Sequence, residues 1–319
     1  MRLALAAALL FLACDSDLPR AVFHYPTTTP GASSAGAGEW RAFAPIPTAR
    51  SEVATAVVRD RVFVIGGFGG GTSVERYDAS ADRWVRLAPL PIAVNHAMAA
   101  AIGEDVYVIG GYLDSGAATA RTFRFDATAN AWREEAAMPT PRGAGGATAL
   151  ASTIYVVGGA SDGRLLPSAI AYDVATRTWR RIADLPTPRD HLAVATYDGR
   201  ICAVGGRRLS LAENLGAFEC YKPSADRWER RPDLPTRRGG LGAAAIGGSL
   251  YVAGGEQPAG TFREVEVFDG ASWSRAPDLP TPRHGLAVAS ANGTLFVIAG
   301  GPTPGGSETN LNQGLVPPR

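Results

Sequence analysis

One pattern governs this chain: a glycine doublet and a tryptophan, repeated six times. The tryptophans stand at Trp40, Trp84, Trp132, Trp179, Trp228 and Trp273, spaced by 44 to 49 residues. Between them fall Gly66-Gly67, Gly110-Gly111, Gly158-Gly159, Gly205-Gly206 and Gly254-Gly255. A sixth, degenerate copy is Ala299-Gly300, followed by Gly301. Doublets close short apolar β runs such as Val62-Phe63-Val64-Ile65 and Ile154-Tyr155-Val156-Val157. About ten residues on comes an aromatic, usually with Asp: Tyr77-Asp78, Phe125-Asp126, Tyr172-Asp173, Tyr221-Lys222, Phe268-Asp269.

A repeat of this length with several short strands predicts a propeller blade. No segment of twelve residues carries a helical stripe. Glycines serve where a strand end turns without a Cβ or where backbones crowd. A large aromatic once per repeat is best used as packing between blades.

The doublets, the Tyr-Asp pairs, the Trp and elements such as Pro188-Arg189-Asp190-His191 make the chain resemble the kelch family. The resemblance covers about residues 40–316 and implies an all-β, six-bladed kelch-type β-propeller. It says little of function, because function resides in sites grafted on folds. The count also predicts the closure. Trp40 precedes the first doublet and no Trp follows the sixth. The strand around Trp40 should therefore complete the last blade, so that N- and C-terminal strands share it.

Residues 1–14 read as an export signal. Arg2 precedes eleven apolar residues, Leu3 to Ala13, too short a run to span a bilayer. The following Cys14 resembles the lipidated cysteine of bacterial lipoproteins, although Phe11 stands where that family prefers Leu. Residues 15–38, rich in Pro, Thr, Gly, Ser and Ala, read as a flexible tether, leaving 39–319 for the propeller. The expectation is a monomer, lipid-anchored in the bacterial envelope through Cys14 alone, or otherwise secreted.

The net charge of +1 gives no case for nucleic acid. The basic residues include a single lysine, Lys222, a bias better explained by base composition than by function. No phosphate loop, serine elbow or paired zinc ligands appear, and no cofactor or metal is expected.

Positions counted back from each doublet separate scaffold from site. Sixteen residues before stand Arg50, Val94, Arg142, Arg189, Arg238 and Arg283, a near-invariance that suggests a structural duty. Fourteen before stand Glu52, His96, Ala144, His191, Gly240 and Gly285. Fifteen before stand Ser51, Asn95, Gly143, Asp190, Gly239 and His284, and just after the doublets come Phe68, Tyr112, Ala160, Arg207, Glu256 and Gly301. In an antiparallel meander all three sets gather at one mouth of the central channel. Arg142, Arg189, Arg207, Arg208, Arg237, Arg238 and Arg283, against Glu52, Asp190 and Glu256, would make that mouth basic and suit an anionic ligand. Arg207, Arg208 and Glu256 break the repeat and are the foremost candidates, with His96 and His191 beside them. The two histidines lack an obvious third metal ligand. Cys202 and Cys220 sit on neighbouring strands of one blade, either as a disulfide or as two buried thiols.

Two functions fit. The first is an anchored binding module for an anionic carbohydrate or an envelope protein at the mouth. The second comes from resemblance: six-bladed periplasmic kelch proteins include some similar to N-acetylneuraminate epimerases. It would make Glu256 the acid–base and Arg207 or Arg238 the clamp on a carboxylated sugar. The copper-oxidase branch of the kelch family is not matched, because Cys202 and Cys220 lie away from the mouth.

Overall fold

The computed structural model describes residues 21–23 and 38–316. Among them six four-stranded antiparallel sheets form a ring. Blade I runs Ala54–Val58, Arg61–Ile65, Val74–Asp78 and Arg83–Arg86, from axis to rim. Blades II to V repeat this order, with innermost strands Met98–Ile102, Gly146–Leu150, Ala193–Tyr197 and Gly242–Ile246. Blade VI takes Ala287–Ala291, Thr294–Ile298 and Asn312–Val316 from the C-terminal side. Its outermost strand is Glu39–Ala42, in register Trp40 with Leu315. The expected closure is present. It leaves no interblade seam without a covalent crossing, since one blade is sewn from both ends of the domain.

The innermost strands are rich in Ala and Gly, as in Met98-Ala99-Ala100-Ala101 and Gly242-Ala243-Ala244-Ala245. Six blades converge there, and larger side chains would hold the strands apart. Between blades lie apolar clusters, for example Phe63, Ile65, Val108 and Phe125 between blades I and II.

The repeat residues are explained by contacts between neighbours. The second member of each doublet donates its backbone N–H to the next blade: Gly67 to Val94, Gly111 to Arg142, Gly159 to Arg189, Gly206 to Arg238, Gly255 to Arg283. Gly300 then donates to Arg50 at 2.8 Å and closes the circle. Gly206 has φ +104°, and a Cβ on it would lie 2.9 Å from the Asp190 carbonyl oxygen. Only glycine meets both demands. Each Trp indole N–H donates to a carbonyl in the connection from the preceding blade, from Trp40 to Pro277 at 2.9 Å through Trp273 to Pro232 at 2.7 Å.

In five of the six blades the residue sixteen before the doublet is an Arg, and it braces the inside of its own blade. Arg189 is 0% exposed and donates to the carbonyls of Thr187, Ala203, Gly205 and Ala217 and to Glu219 at 2.6 Å. Arg50 does the same with Glu75, Arg238 with Glu266, and Arg283 with Gln313. Arg142 meets only neutral acceptors, at Gly158 and Ser168, and burial pushes it down to about 10.

Cys202 and Cys220 are directly opposed on the second and third strands of blade IV, 4.0 Å apart at Cα, and are joined by a disulfide. It closes a loop with a sequence separation of 18 residues. Loop closure in the unfolded chain predicts a contribution of about 3 kcal/mol. The paired Cys202→Ser, Cys220→Ser variant is expected to lose about 2–4 kcal/mol in chemical denaturation. A reductant should then lower the stability of the wild type and leave the variant unchanged.

The expected signal, Cys14 and most of the tether lie outside the described residues. Within the tether, Ala21–Phe23 forms a strand paired in parallel with Ser307–Thr309. That segment was expected to be free of regular structure. Ala-Val-Phe is a sequence suited to strand pairing. Among the described residues, no helix is long and apolar enough to cross a membrane.

Candidate functional site

The axial site is built on a second circle of backbone hydrogen bonds. His96 N donates to Glu52 O, Ala144 to His96, His191 to Ala144, Gly240 to His191 and Gly285 to Gly240, at 2.7–3.0 Å. Val53 N completes the turn to Gly285 O at 3.4 Å. All six positions are left-handed, with φ between 50° and 70°. Gly240 and Gly285 suit this conformation. Glu52, His96 and His191 hold it at a cost of roughly 1 kcal/mol each. Side chains retained where glycine would serve better point to a use.

The expected convergence of three residue sets at one mouth is present. In every blade the residue fifteen before the doublet bridges the one just after it, as Asp190 does Arg207 and His284 does Gly301. From Arg207 the contacts run around the axis. Its guanidinium donates to Glu256 Oε1 at 2.7 Å and to His191 Nε2 at 2.8 Å, and its Nε lies 3.9 Å from Asp190. His191 Nδ1 meets Asp190 Oδ2 at 2.6 Å. An arginine only donates, so Nε2 of His191 carries its lone pair and Nδ1 carries the proton.

Glu52 joins the first and last blades. Its Oε1 receives His284 Nδ1 at 3.0 Å, and its Oε2 lies 3.3 Å from His96 Nε2. His284 Nε2 points at the Thr303 carbonyl oxygen at 3.0 Å, and Glu256 Oε2 is 3.5 Å from Nδ1. Acceptors at both nitrogens make His284 an imidazolium. Burial works against that charge, but Glu52 and Glu256 outweigh it and raise the His284 pKa. His96 goes the other way. Burial, with His191 and Arg207 nearby, lowers it to about 4 against the pull of Glu52. Burial alone would raise the Glu52 carboxyl, yet the surrounding imidazoles hold it below the usual range. With His96 neutral, His284 supplies that charge. Asp190 is likewise held low: burial opposes ionisation, and the His191 hydrogen bond and the Leu209 N–H overcome it.

The expectation of a basic mouth needs correction. Arg142, Arg238 and Arg283 are at most 1% exposed, and their guanidinium groups are spent inside the blades. Arg207 is on the axis but neutralised by Glu256. The axial cluster holds three carboxylates (Glu52, Asp190, Glu256) against two cations (Arg207, His284), so it is anionic overall. Arg208 and Arg237 are exposed at this face, as are Arg164 and Arg263 in the loops after the doublets of blades III and V. The loops of Arg208 and Arg237 lie side by side, through Gly206 N to Arg238 O at 2.9 Å and Arg238 N to Leu215 O at 3.3 Å. Leu209, next to Arg208, is 48% exposed.

Glu256 is 2% exposed and fixed by Arg207 and by the Gly305 N–H at 2.9 Å. His96 and His191, expected to lack a third partner, have one in Glu52. Ligand atoms of the three lie within 4.8 Å of one another. Sequence reasoning placed His284 at the mouth but did not single it out, because 232 residues separate it from Glu52. Ring closure brings blade VI beside blade I, and that adjacency was the available signal. The six ring residues and those that follow them, among them Val53, Ala97, Leu192, Leu241 and Leu286, line a cavity of about 90 Å³.

Residues 68–233 match the KLHDC2/KLHL20/DRC7 Kelch-repeats domain, and residues 237–280 match the Kelch motif. The chain belongs to the kelch-repeat family. It is a six-bladed kelch propeller, an architecture that serves commonly as a protein-binding scaffold. Among solved structures it resembles that of YjhT, with a TM-score of 0.75 at 17% identity over 85% of this chain and 95% of that one. At that identity the likeness concerns the fold. No curated protein matches the chain by sequence.

Proposed function

We propose that the protein is an exported, envelope-tethered propeller that binds an acidic carbohydrate at the rim of blades IV and V. The observation that carries this reading is the pair of exposed arginines, Arg208 and Arg237, on adjacent loops that break the repeat. Guanidinium groups bind carboxylates with two parallel hydrogen bonds, and exposure leaves these two available. The disulfide of blade IV fits an oxidising compartment. Cys14 would supply the tether. The axial cavity is far below the 300–1,000 Å³ typical of small-molecule sites, so a sugar belongs at the rim.

The test is calorimetric titration of the purified protein with acidic and neutral sugars, N-acetylneuraminic acid included. Saturable binding of an acidic sugar, weakened at least tenfold in Arg208→Ala and Arg237→Ala, is the expected result. Both residues are exposed, so the variants should fold. Binding of neutral sugars alone, or binding indifferent to both changes, would overturn the reading.

A second reading, an acid–base enzyme acting on a sugar, is favoured by the contrast between His191, with its lone pair at Nε2, and His284, with acceptors at both nitrogens. Neighbouring groups held in different proton states mark acid and base assignments. In that reading His191, backed by Asp190, is the base and His284 the acid. Glu256, committed to Arg207, positions them. Anomer exchange of N-acetylneuraminate, lost in His191→Asn, would support it; a rate equal to that of buffer would exclude this substrate.

A further inference from the structure

We propose that Glu52, His96 and His191 form a binding site for one divalent transition-metal ion on the propeller axis. This goes beyond the rim reading and does not depend on it. Two imidazoles and one carboxylate are a ligand set suited to zinc, iron, cobalt or nickel. Three equivalent positions in blades I, II and IV place them around the same axis, with ligand atoms within 4.8 Å. No single loop could supply this set, and no local spacing in the sequence encodes it.

The orientation of each ligand is fixed from behind. His191 Nδ1 is held by Asp190 at 2.6 Å and His96 Nδ1 by Asn95 Oδ1 at 2.7 Å. Glu52 Oε1 is held by His284 at 3.0 Å. Each hold leaves Nε2, Nε2 and Oε2 respectively facing one another. Metal-ligating histidines almost always have such a partner on their other nitrogen, because it sets the tautomer and the ring orientation. In His191 the lone pair already resides on Nε2, where it accepts from Arg207. A metal would take that lone pair, and Arg207 would keep Glu256 and Asp190.

Volume agrees. The cavity that these residues line, about 90 Å³, has room for water. That suits the remaining ligands of a hydrated ion. The left-handed backbone at all three ligand positions gains a purpose as well.

The experiment is titration of the full chain, stripped with chelator, with Co²⁺ and then with competing Zn²⁺. The expected result is one Co²⁺ per chain with visible d–d absorption, displaced by Zn²⁺. His96→Gln and His191→Asn should each weaken binding at least tenfold, and Asp190→Asn, acting from behind His191, by about 10–100-fold. Arg208→Ala should bind cobalt as the wild type does. Thermal melts in chelator verify that each variant folds; Glu52→Gln replaces any that does not. A folded wild type without the d–d band, or cobalt affinity that survives the ligand changes within tenfold, would overturn the proposal.

Discussion

A chain lacking Glu39–Ala42 is expected to lose the cooperative fold of all six blades, not blade VI alone. The strand supplies the outer edge of blade VI and pairs with Asn312–Val316 along its whole length. Trp40 is 4% exposed, packs in the cluster with Val265, Leu286, Val297 and Leu315, and donates to Pro277 in the connection from blade V. Removal exposes a strand edge and opens the seam that holds the two ends of the domain together. The milder Trp40→Ala is expected to cost about 3–5 kcal/mol, the usual range for a large buried aromatic. Circular dichroism with urea checks both. Loss of the folded baseline in the deletion is the expected outcome. A deletion mutant that unfolds at the wild-type midpoint would mean that the seam carries no load.

The second large effect is expected at the buried arginines. Arg189→Met removes donors from four carbonyls and leaves Glu219 inside blade IV with only the Thr187 hydroxyl at 2.8 Å. Breaking a buried pair from one side costs about 3–5 kcal/mol, because the remaining charge stays in the interior. The double variant Arg189→Met, Glu219→Leu should recover much of that loss. Arg142→Met is the internal comparison. It leaves no carboxylate behind, since Arg142 meets only carbonyls and Ser168, so its cost should be smaller. Urea midpoints of the four proteins order these effects. Equal losses in Arg189→Met and Arg142→Met would deny that the stranded carboxylate matters.

The fold was legible because the repeat states its own physics. The second doublet residue must take positive φ beneath a neighbour's carbonyl and is glycine in every blade, while Ala299 shows that the first place admits alanine; a Trp that clasps the preceding blade must recur with the blade. The closure followed from counting, since Trp40 had no other blade to complete. The site was legible in position but not in sign. The columns around each doublet located Glu52, His96, His191, Arg207 and Glu256. They could not tell that Arg238 and Arg283 turn inward while Arg207 crosses the axis to Glu256, because side-chain direction at a strand's start is set by packing. The columns held His284 too, but its contact with Glu52 escaped for a topological reason. A linear sequence hides that the sixth blade touches the first.

The account rests on an axial cluster that drives its histidines into different protonation states. The chain has only four histidines, so long-range ¹H–¹⁵N correlation can resolve every imidazole. At pH 7 in chelator, the expected spectrum has His284 protonated on both nitrogens and His191 on Nδ1 alone, with His96 neutral. His96 and His284 titrating together near the unperturbed value of about 6.5 would contradict it.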